Sequence, residues 1–123
     1  MQGHRLREIF QNEWQHDTSS NLRKAHITML YLVEPTQVEI DKQKNSRFIA
    51  FAVPLQEQAH VLSQIKRIKE CHPKAQHFCY AWRMLDGTEG TSDDGEPHGS
   101  AGVPILKPIA GHNIVNILVV VVR

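Results

Sequence analysis

The sequence predicts an α+β fold, a two-layer sandwich in which helices cover one side of a mixed sheet. Three apolar runs rich in β-branched or aromatic residues, 47–53, 77–84 and 114–122, are typical of strands. Between the first two runs, residues 55–71 carry apolar side chains every three or four positions, which indicates an amphipathic helix. Strands that alternate with helices along one chain pack as a sheet covered by helices.

Composition fits one globular domain and argues against a membrane partner. The chain has 123 residues, 41% of them apolar and 22% charged, which is enough to bury a core. Its 14 basic and 13 acidic residues leave a net charge of +1, so only a local patch could bind RNA. The longest apolar run, 117–122, is far shorter than the roughly 20 residues that span a bilayer.

The cysteine content and the N-terminus indicate a cytoplasmic protein. The two cysteines, Cys71 and Cys79, are too few for a disulfide framework, so we expect free thiols. The first residues lack the apolar segment of a signal peptide.

The first 35 residues are predicted to form an N-terminal extension, separate from a domain of residues 36–123. Residues 17–21 are of the types that favour turns and caps, and two short strand-like runs follow, 27–33 and 37–40. Before them, apolar positions spaced by three and four suit a short amphipathic helix: Leu6, Ile9, Phe10 and Trp14.

The strand and helix that follow are predicted to supply much of the core. The run 47–53 is almost continuously apolar, so we expect a strand buried on both faces. A cluster of basic residues in 66–69 lies near the C-terminal end of the predicted helix, where it meets the negative end of the helix dipole. This favours a solvated face, with an RNA-binding patch as the alternative. The inward positions of the helix are Leu55, Ala59, Leu62, Ile65 and Ile68.

The predicted strand 77–84 has two chemically different faces, because successive side chains of a strand point in opposite directions. We expect one face to belong to the core and the other to a site. The first face carries His77, Cys79, Ala81 and Arg83, and the second carries Phe78, Tyr80, Trp82 and Met84.

Residues 92–104, Ser-Asp-Asp-Gly-Glu-Pro-His-Gly-Ser-Ala-Gly-Val-Pro, are predicted to form a shaped turn. Glycine frees the backbone and proline fixes φ, so such a segment displays its polar groups in a defined way. The carboxylates of Asp93, Asp94 and Glu96 are expected to cap backbone N–H groups. A short helix should follow with Ser100 as its N-cap and Pro108 near its end, and then one buried strand over 114–122.

Catalytic and metal-binding hypotheses compete with this structural role. The three carboxylates could bind Mg²⁺, although their spacing is not that of an EF-hand. Cys79 could act as a nucleophile with His77 or His98, or it could be a buried structural thiol. A zinc site would draw, in a loose pattern, on Cys71, His72, His77, Cys79 and His98. We assign no metal or cofactor to the chain.

A phosphate site is a further alternative. Residues 99–102, Gly-Ser-Ala-Gly, lead into the second predicted helix and could aim backbone N–H groups at a phosphate or an RNA backbone. Arg47, Arg83 and Arg123 would add positive charge if the sheet brings them together. No Walker-type lysine follows, and close packing of the backbone is the competing interpretation.

Four blocks of sequence resemble the IMPACT/YigZ family and follow one another in the family's order. They are Ser-Arg-Phe-Ile-Ala at 46–50, His-Phe-Cys-Tyr-Ala-Trp-Arg at 77–83, the acidic string at 92–104, and Val-Val-Val-Val-Arg at 119–123. The resemblance implies a cytosolic protein whose fold is similar to the second domain of ribosomal protein S5. It also implies a role in translation.

The function implied by this resemblance is that of a non-catalytic regulator or binding module whose partner is a ribosome, an RNA or a translation factor. The alternative is an enzyme that acts on a phosphate-bearing or peptide substrate through the acidic glycine-rich loop. The candidate binding residues are His77, Cys79, Arg83, Ser92, Asp93, Asp94, Glu96, Gly99, Ser100, Gly102 and Arg123.

The chain departs from the family pattern at Arg123, its last residue. In the family the matching arginine is followed by an aromatic pair and two glycines. We therefore expect a C-terminally incomplete domain in which the strand 114–122 exposes an apolar face and favours self-association.

Overall fold

The computed structural model of the chain describes residues 5–16, 22–43 and 46–123. Within them, no helix is long and apolar enough to span a membrane. The helices are α1 Val61–Cys71, preceded by a 3₁₀ turn at Gln58–His60, and α2 Gly102–Gly111. The strands are β1 Leu6–His16, β2 Leu22–Leu32, β3 Thr36–Gln43, β4 Ser46–Pro54, β5 Phe78–Arg83, β6 Glu89–Ser92, β7 Ile114–Val115 and β8 Ile117–Val122.

The described strands form two sheets. The larger has the order β3-β4-β8-β5-β6, and all its neighbours are antiparallel. The smaller has the order β1-β2-β7, in which β2 and β7 are parallel. The α+β class is confirmed, but the main sheet is not mixed. The strands β4 and β5, which α1 connects, run in the same direction but are not neighbours. β8 lies between them and is antiparallel to both.

The two helices lie on opposite faces of the five-stranded sheet. Phe78, Trp82 and Leu118 form a core cluster with α1, whereas Ala81 and Ile117 pack with α2. The predicted two-layer sandwich with helices on one side is therefore wrong. The central strands β5 and β8 are apolar on both faces, so each face needs a cover.

The C-terminal strand is central and buried rather than exposed. β8 lies between β4 and β5, and its buried side chains include Leu118, Val120 and Val122. The exposed apolar face from which we predicted self-association is therefore not a feature of this strand. The predicted run 114–122 is also interrupted, because Asn116 has a φ of 55° and its side-chain oxygen accepts the N–H of Leu85 at 3.0 Å.

The N-terminal segment forms a hairpin and not the predicted helix. β1 pairs with β2 along its whole length, from Leu6 opposite Leu32 to His16 opposite Leu22. Short helices are marginal unless an apolar face packs on a core, and pairing with β2 satisfies the same backbone groups. The predicted turn at 17–21 lies outside the described residues. The division of the chain at residue 36 stays a prediction.

The apolar run and the helical period around α1 are largely confirmed. β4 matches the predicted strand 47–53, with Phe51 packed on the α1 side and Ala52 on the α2 side. α1 turns Ile65 and Ile68 inward as expected. The helix begins at residue 61 and not at 55. Ala59, in the preceding 3₁₀ turn, and Leu62 were expected inward but are exposed, Leu62 to 71%.

Candidate functional site

The acidic loop, residues 92–104, turns sharply at Asp94 and Gly95. These residues have left-handed backbones, with φ of 44° and 87°. The N–H of Glu96 closes the turn on the carbonyl oxygen of Asp93 at 2.9 Å, and the N–H of Asp94 donates to Oγ of Ser92 at 3.2 Å. Aspartate followed by glycine is one of the pairs favoured where a tight turn has two left-handed residues. The sequence therefore dictates this local shape.

The side chain of Asp94 fastens the turn to the start of β5. Its Oδ2 accepts the N–H of Phe78 at 2.7 Å. Its carbonyl oxygen lies 2.7 Å from Nδ1 of His77, which places a hydrogen bond between the loop and the residue before the strand. The loop is thus held to the sheet at its turn.

The side chain of Asp93 fastens the other end of the loop to α2. Oδ2 accepts the N–H of Gly99 at 2.9 Å, and Oδ1 accepts the N–H groups of Ala101 at 3.0 Å and Gly102 at 2.8 Å. Bonds from Gly102, Gly99 and Ala101 favour the ionised form and lower the pKa of Asp93 below its ordinary value. The predicted capping of backbone groups by loop carboxylates is confirmed for this residue.

This arrangement differs from two predictions, the N-cap of α2 and the phosphate site at residues 99–102. The hydroxyl of Ser100 does not cap the helix but donates to the carbonyl oxygen of Pro97 at 2.6 Å. The N-cap position belongs to Ala101, which has no capping side chain of its own. Because Asp93 already binds the amides of this segment, an external phosphate would have to displace a carboxylate that the chain supplies.

Close packing explains the last glycine of the loop. A Cβ added to Gly102 would lie 2.8 Å from Cβ of Thr91 and 3.0 Å from the backbone N and O of Ser92. Only glycine lets the first turn of α2 approach β6 this closely. The structural interpretation of residues 99–102 is therefore correct for Gly102.

Cys79 is a protonated, buried thiol beneath the loop. Its Sγ donates to the carbonyl oxygen of Asp93 at 3.2 Å. Burial, together with the nearby carboxylates of Glu96, Asp94 and Asp93 and against the opposing effect of Arg123, raises the pKa of Cys79 to about 11. At neutral pH the thiolate needed for nucleophilic attack is therefore scarce.

Glu96 joins the loop to the end of β8. Its Oε1 lies 2.7 Å from Nη1 of Arg123 and 3.7 Å from Nε2 of His77. The backbone of Arg123 is fixed independently, since its N–H donates to the carbonyl oxygen of His77 at 3.0 Å. Beside this ion pair lies a cavity of about 300 Å³, which we call the loop cavity. It is lined by Phe48, Cys79, Glu96, Ser100, Ala101, Ile105, Val121 and Arg123.

Arg83 does not join this group. It lies opposite Ile117 in the sheet, whereas Phe78, next to the loop, lies opposite Val122. Its guanidinium donates to the carbonyl oxygen of Ile114 at 3.2 Å and lies 3.7 Å from Oε2 of Glu89. Arg83 and Arg123 therefore lie at opposite ends of β5, which contradicts the predicted convergence of three arginines. The side chain of Arg47 is outside the described part of the chain.

The described residues offer no ready-made metal centre. Among them, no group of three or more His, Cys, Asp or Glu side chains is close enough to hold a metal ion. Cys71 is exposed while Cys79 is buried, and both carboxylate oxygens of Asp93 accept backbone N–H groups. The magnesium and zinc hypotheses therefore gain no support from the geometry.

Sequence reasoning missed the apolar wall of the loop cavity. Val121 lies opposite Cys79 in the sheet, so strand alternation could have placed it on the same face. Ile105 lies one turn into α2, and helical spacing could have placed it beside Ala101. Phe48 had no such signal, because its place depends on β4 pairing with β8.

Comparisons with known proteins place this site in a recognised sequence family. The sequence model of the Impact N-terminal domain matches residues 44–123. An IMPACT family member of Haemophilus influenzae is 37% identical over 98 residues, 76% of this chain and 48% of the relative. The IMPACT family member YigZ of Escherichia coli is 35% identical over 68% of this chain and 43% of its own length. The chain therefore spans about half the length of these relatives.

A further relative and a solved structure agree with these matches. The IMPACT family member YvyE of Bacillus subtilis is 33% identical over 82 residues, which is 38% of its length. A protein described as "Crystal structure of an hypothetical protein" superposes with a TM-score of 0.69 at 34% identity, over 73% of this chain and 45% of that one.

Proposed function

Because the chain belongs to the IMPACT family, we propose that it is a non-catalytic binding module of the translation machinery, working in the cytoplasm. Its partner in this proposal is the ribosome, an RNA or a translation-related protein. The proposal includes the similarity of its fold to the second domain of ribosomal protein S5.

The non-catalytic part of the proposal rests on the hydrogen bonds that Asp93 accepts. A catalytic carboxylate needs a lone pair directed at a substrate or a proton. Both oxygens of Asp93 instead accept N–H groups of its own chain, from Gly99, Ala101 and Gly102. Such a carboxylate holds a shape and leaves little capacity for chemistry.

The other candidate catalytic groups are engaged in similar ways. Oδ2 of Asp94 accepts the N–H of Phe78, and Oε1 of Glu96 is paired with Arg123. The raised pKa of Cys79, about 11, keeps its thiol protonated. These contacts favour a rigid surface for binding over an enzyme acting through the acidic loop.

Co-sedimentation with ribosomes tests the proposal. The tagged full chain is added to a bacterial lysate, and ribosomes are pelleted through a sucrose cushion at low and high salt. We expect enrichment of the chain in the ribosomal pellet, or recovery of RNA or a translation factor with it in a parallel pull-down. Nuclease treatment separates an RNA partner from a protein partner. Recovery at background level in both assays, matched to an unrelated tagged protein of similar size and charge, would contradict the proposal.

A further inference from the structure

The loop cavity combines an apolar wall with the ion pair of Glu96 and Arg123. Phe48, Ile105 and Val121 supply apolar surface, and Glu96 reaches the cavity from the loop with 18% of its side chain exposed. The volume of about 300 Å³ is at the lower end of the range for small-ligand pockets. A single slender group fits such a space better than a large ligand does.

The charges around the cavity favour a cation. Glu96 and Cys79 line the cavity, and the thiol of Cys79 donates to the backbone carbonyl oxygen of Asp93, the residue before Asp94. The hydrogen bonds of the Asp93 and Asp94 side chains to Gly99, Ala101, Gly102 and Phe78 come from neutral backbone donors, which leave their negative charges uncancelled. Against these three carboxylates stand the guanidinium of Arg123, 2.7 Å from Oε1 of Glu96, and the imidazole of His77, 3.7 Å from the same oxygen. At the Cys79 sulfur burial is the main cause of the raised pKa, the three carboxylates act in the same direction, and Arg123 opposes them.

The pairing of Glu96 favours an ammonium over a guanidinium. Arg123 already occupies Oε1 of Glu96 at 2.7 Å. A second guanidinium that binds through two parallel hydrogen bonds needs both carboxylate oxygens, whereas an ammonium is a point charge and needs one acceptor. The four-carbon stem of a lysine can lie along apolar surface while its charge reaches a polar group.

We infer that the loop cavity binds a lysine side chain of a protein partner, with the aliphatic stem against Phe48, Ile105 and Val121 and the ammonium at Glu96. The choice of a protein partner rests on the proposed function. The cavity itself is a property of the fold and is tested separately.

Methyl NMR of the full chain tests this inference with N-acetyl-lysine methylamide as the probe. Saturable shifts are expected for the methyl groups of Ile105 and Val121. The matching norleucine compound, which lacks the ammonium, should bind at least about tenfold more weakly, because a hydrogen bond to a charged group contributes that much or more. Equal binding of the two compounds would overturn the inference, since the carboxylate would then play no part.

Two variants locate the binding. Glu96→Gln keeps the shape and removes the charge, so it should weaken lysine binding by about tenfold or more. Glu89→Gln is the matched control, because Glu89 also pairs with an arginine but lies away from the cavity, at 3.7 Å from Arg83. If Glu96→Gln unfolds, Ala101→Leu serves instead: it fills the cavity and should abolish the shifts. Unchanged binding in a folded Ala101→Leu variant would overturn the inference.

Two further comparisons are needed. One distinguishes a free amine from a lysine side chain of a protein, and the other distinguishes failure of this inference from failure of the proposed function. Binding of n-butylamine without binding of the lysine compound would indicate a free amine and contradict a protein partner. Loss of lysine binding together with retained ribosome association would overturn this inference alone. Lysine binding with no association to ribosomes, RNA or translation factors would support lysine recognition by the cavity and overturn the proposed function, and with it the choice of partner.

Discussion

The carboxylates of single residues in the acidic loop hold distant backbone segments in place by hydrogen bonds. Asp93 reaches forward to the amides of Gly99, Ala101 and Gly102, and Asp94 reaches back to that of Phe78. Composition alone identified this loop, because glycine, proline and carboxylates rarely concentrate without a structural demand. Which amide each oxygen accepts could not be predicted, since the partners are fixed by the docking of α2 and β5.

Arg83 illustrates the limit of reasoning from strand alternation. Alternation correctly put it on the same face of β5 as Cys79. The two residues are four positions apart, however, which is about 13 Å at the usual rise of a strand. A shared face therefore did not mean a shared site. How far a residue of β5 lies from the loop depends on the register of β5 with β8.

The buried thiol gives a prediction at this scale. With a pKa of about 11, only about one Cys79 thiol in a thousand is ionised at pH 8. Iodoacetamide at that pH should label the exposed Cys71 in the folded chain and leave Cys79 unlabelled until the chain is denatured or the pH approaches 11. Mass spectrometry of Cys71→Ser and Cys79→Ser variants checks the assignment. Rapid labelling of Cys79 in folded Cys71→Ser would contradict a protonated, buried thiol.

At the scale of elements, α2 is positioned by its closest approach to β6. Gly102→Ala would place a methyl group 2.8 Å from Cβ of Thr91 and 3.0 Å from backbone atoms of Ser92. Overpacking of this kind lowers the free energy of unfolding by about 1–3 kcal/mol. Equilibrium denaturation measures the change.

Gly111→Ala is the matched control for that substitution. Gly111 ends the same helix, and an added Cβ there meets nothing within 4 Å. Its substitution should be neutral or slightly stabilising, by up to about 1 kcal/mol, since alanine favours helix over glycine. Equal losses at both glycines would mean that the contact with β6 does not explain the first result.

The elements that the sequence predicted well are those with a strong local period. β4, α1 and β5 lie where apolar runs or a helical repeat indicated them. The N-terminal hairpin and the placement of the helices were not predictable in this way. β1 depends on pairing with β2, and the two-sided cover of the sheet depends on β8 lying between β4 and β5. Both are long-range choices, which local propensity does not encode.

For the whole molecule, the acidic loop connects the parts that cover the two faces of the sheet. Asp94 holds the start of β5, whose Phe78 belongs to the core on the α1 side. Asp93 holds the first turn of α2, whose Ile109 belongs to the core on the other side. The central claim is that these carboxylates stabilise the fold and thereby shape a binding surface.

Equilibrium unfolding of Asp93→Asn, at pH 7 and at acid pH, measures how much this carboxylate stabilises the fold. Asparagine has one acceptor oxygen where aspartate has two. Either the N–H of Gly99 or the N–H groups of Ala101 and Gly102 therefore lose their acceptor. Asp86→Asn is the control, because Asp86 bonds only within its own exposed turn, to Thr88.

Asp93→Asn should be clearly less stable than the natural chain at pH 7, and less stable than Asp86→Asn. The lowered pKa of Asp93 means that its contribution is complete above the ordinary aspartate pKa of about 4 and is lost as the pH falls through the lower pKa of the folded state. The difference from the natural chain should therefore shrink as the pH falls below about 4. A folded Asp93→Asn variant as stable as the natural chain at pH 7 would contradict the central claim.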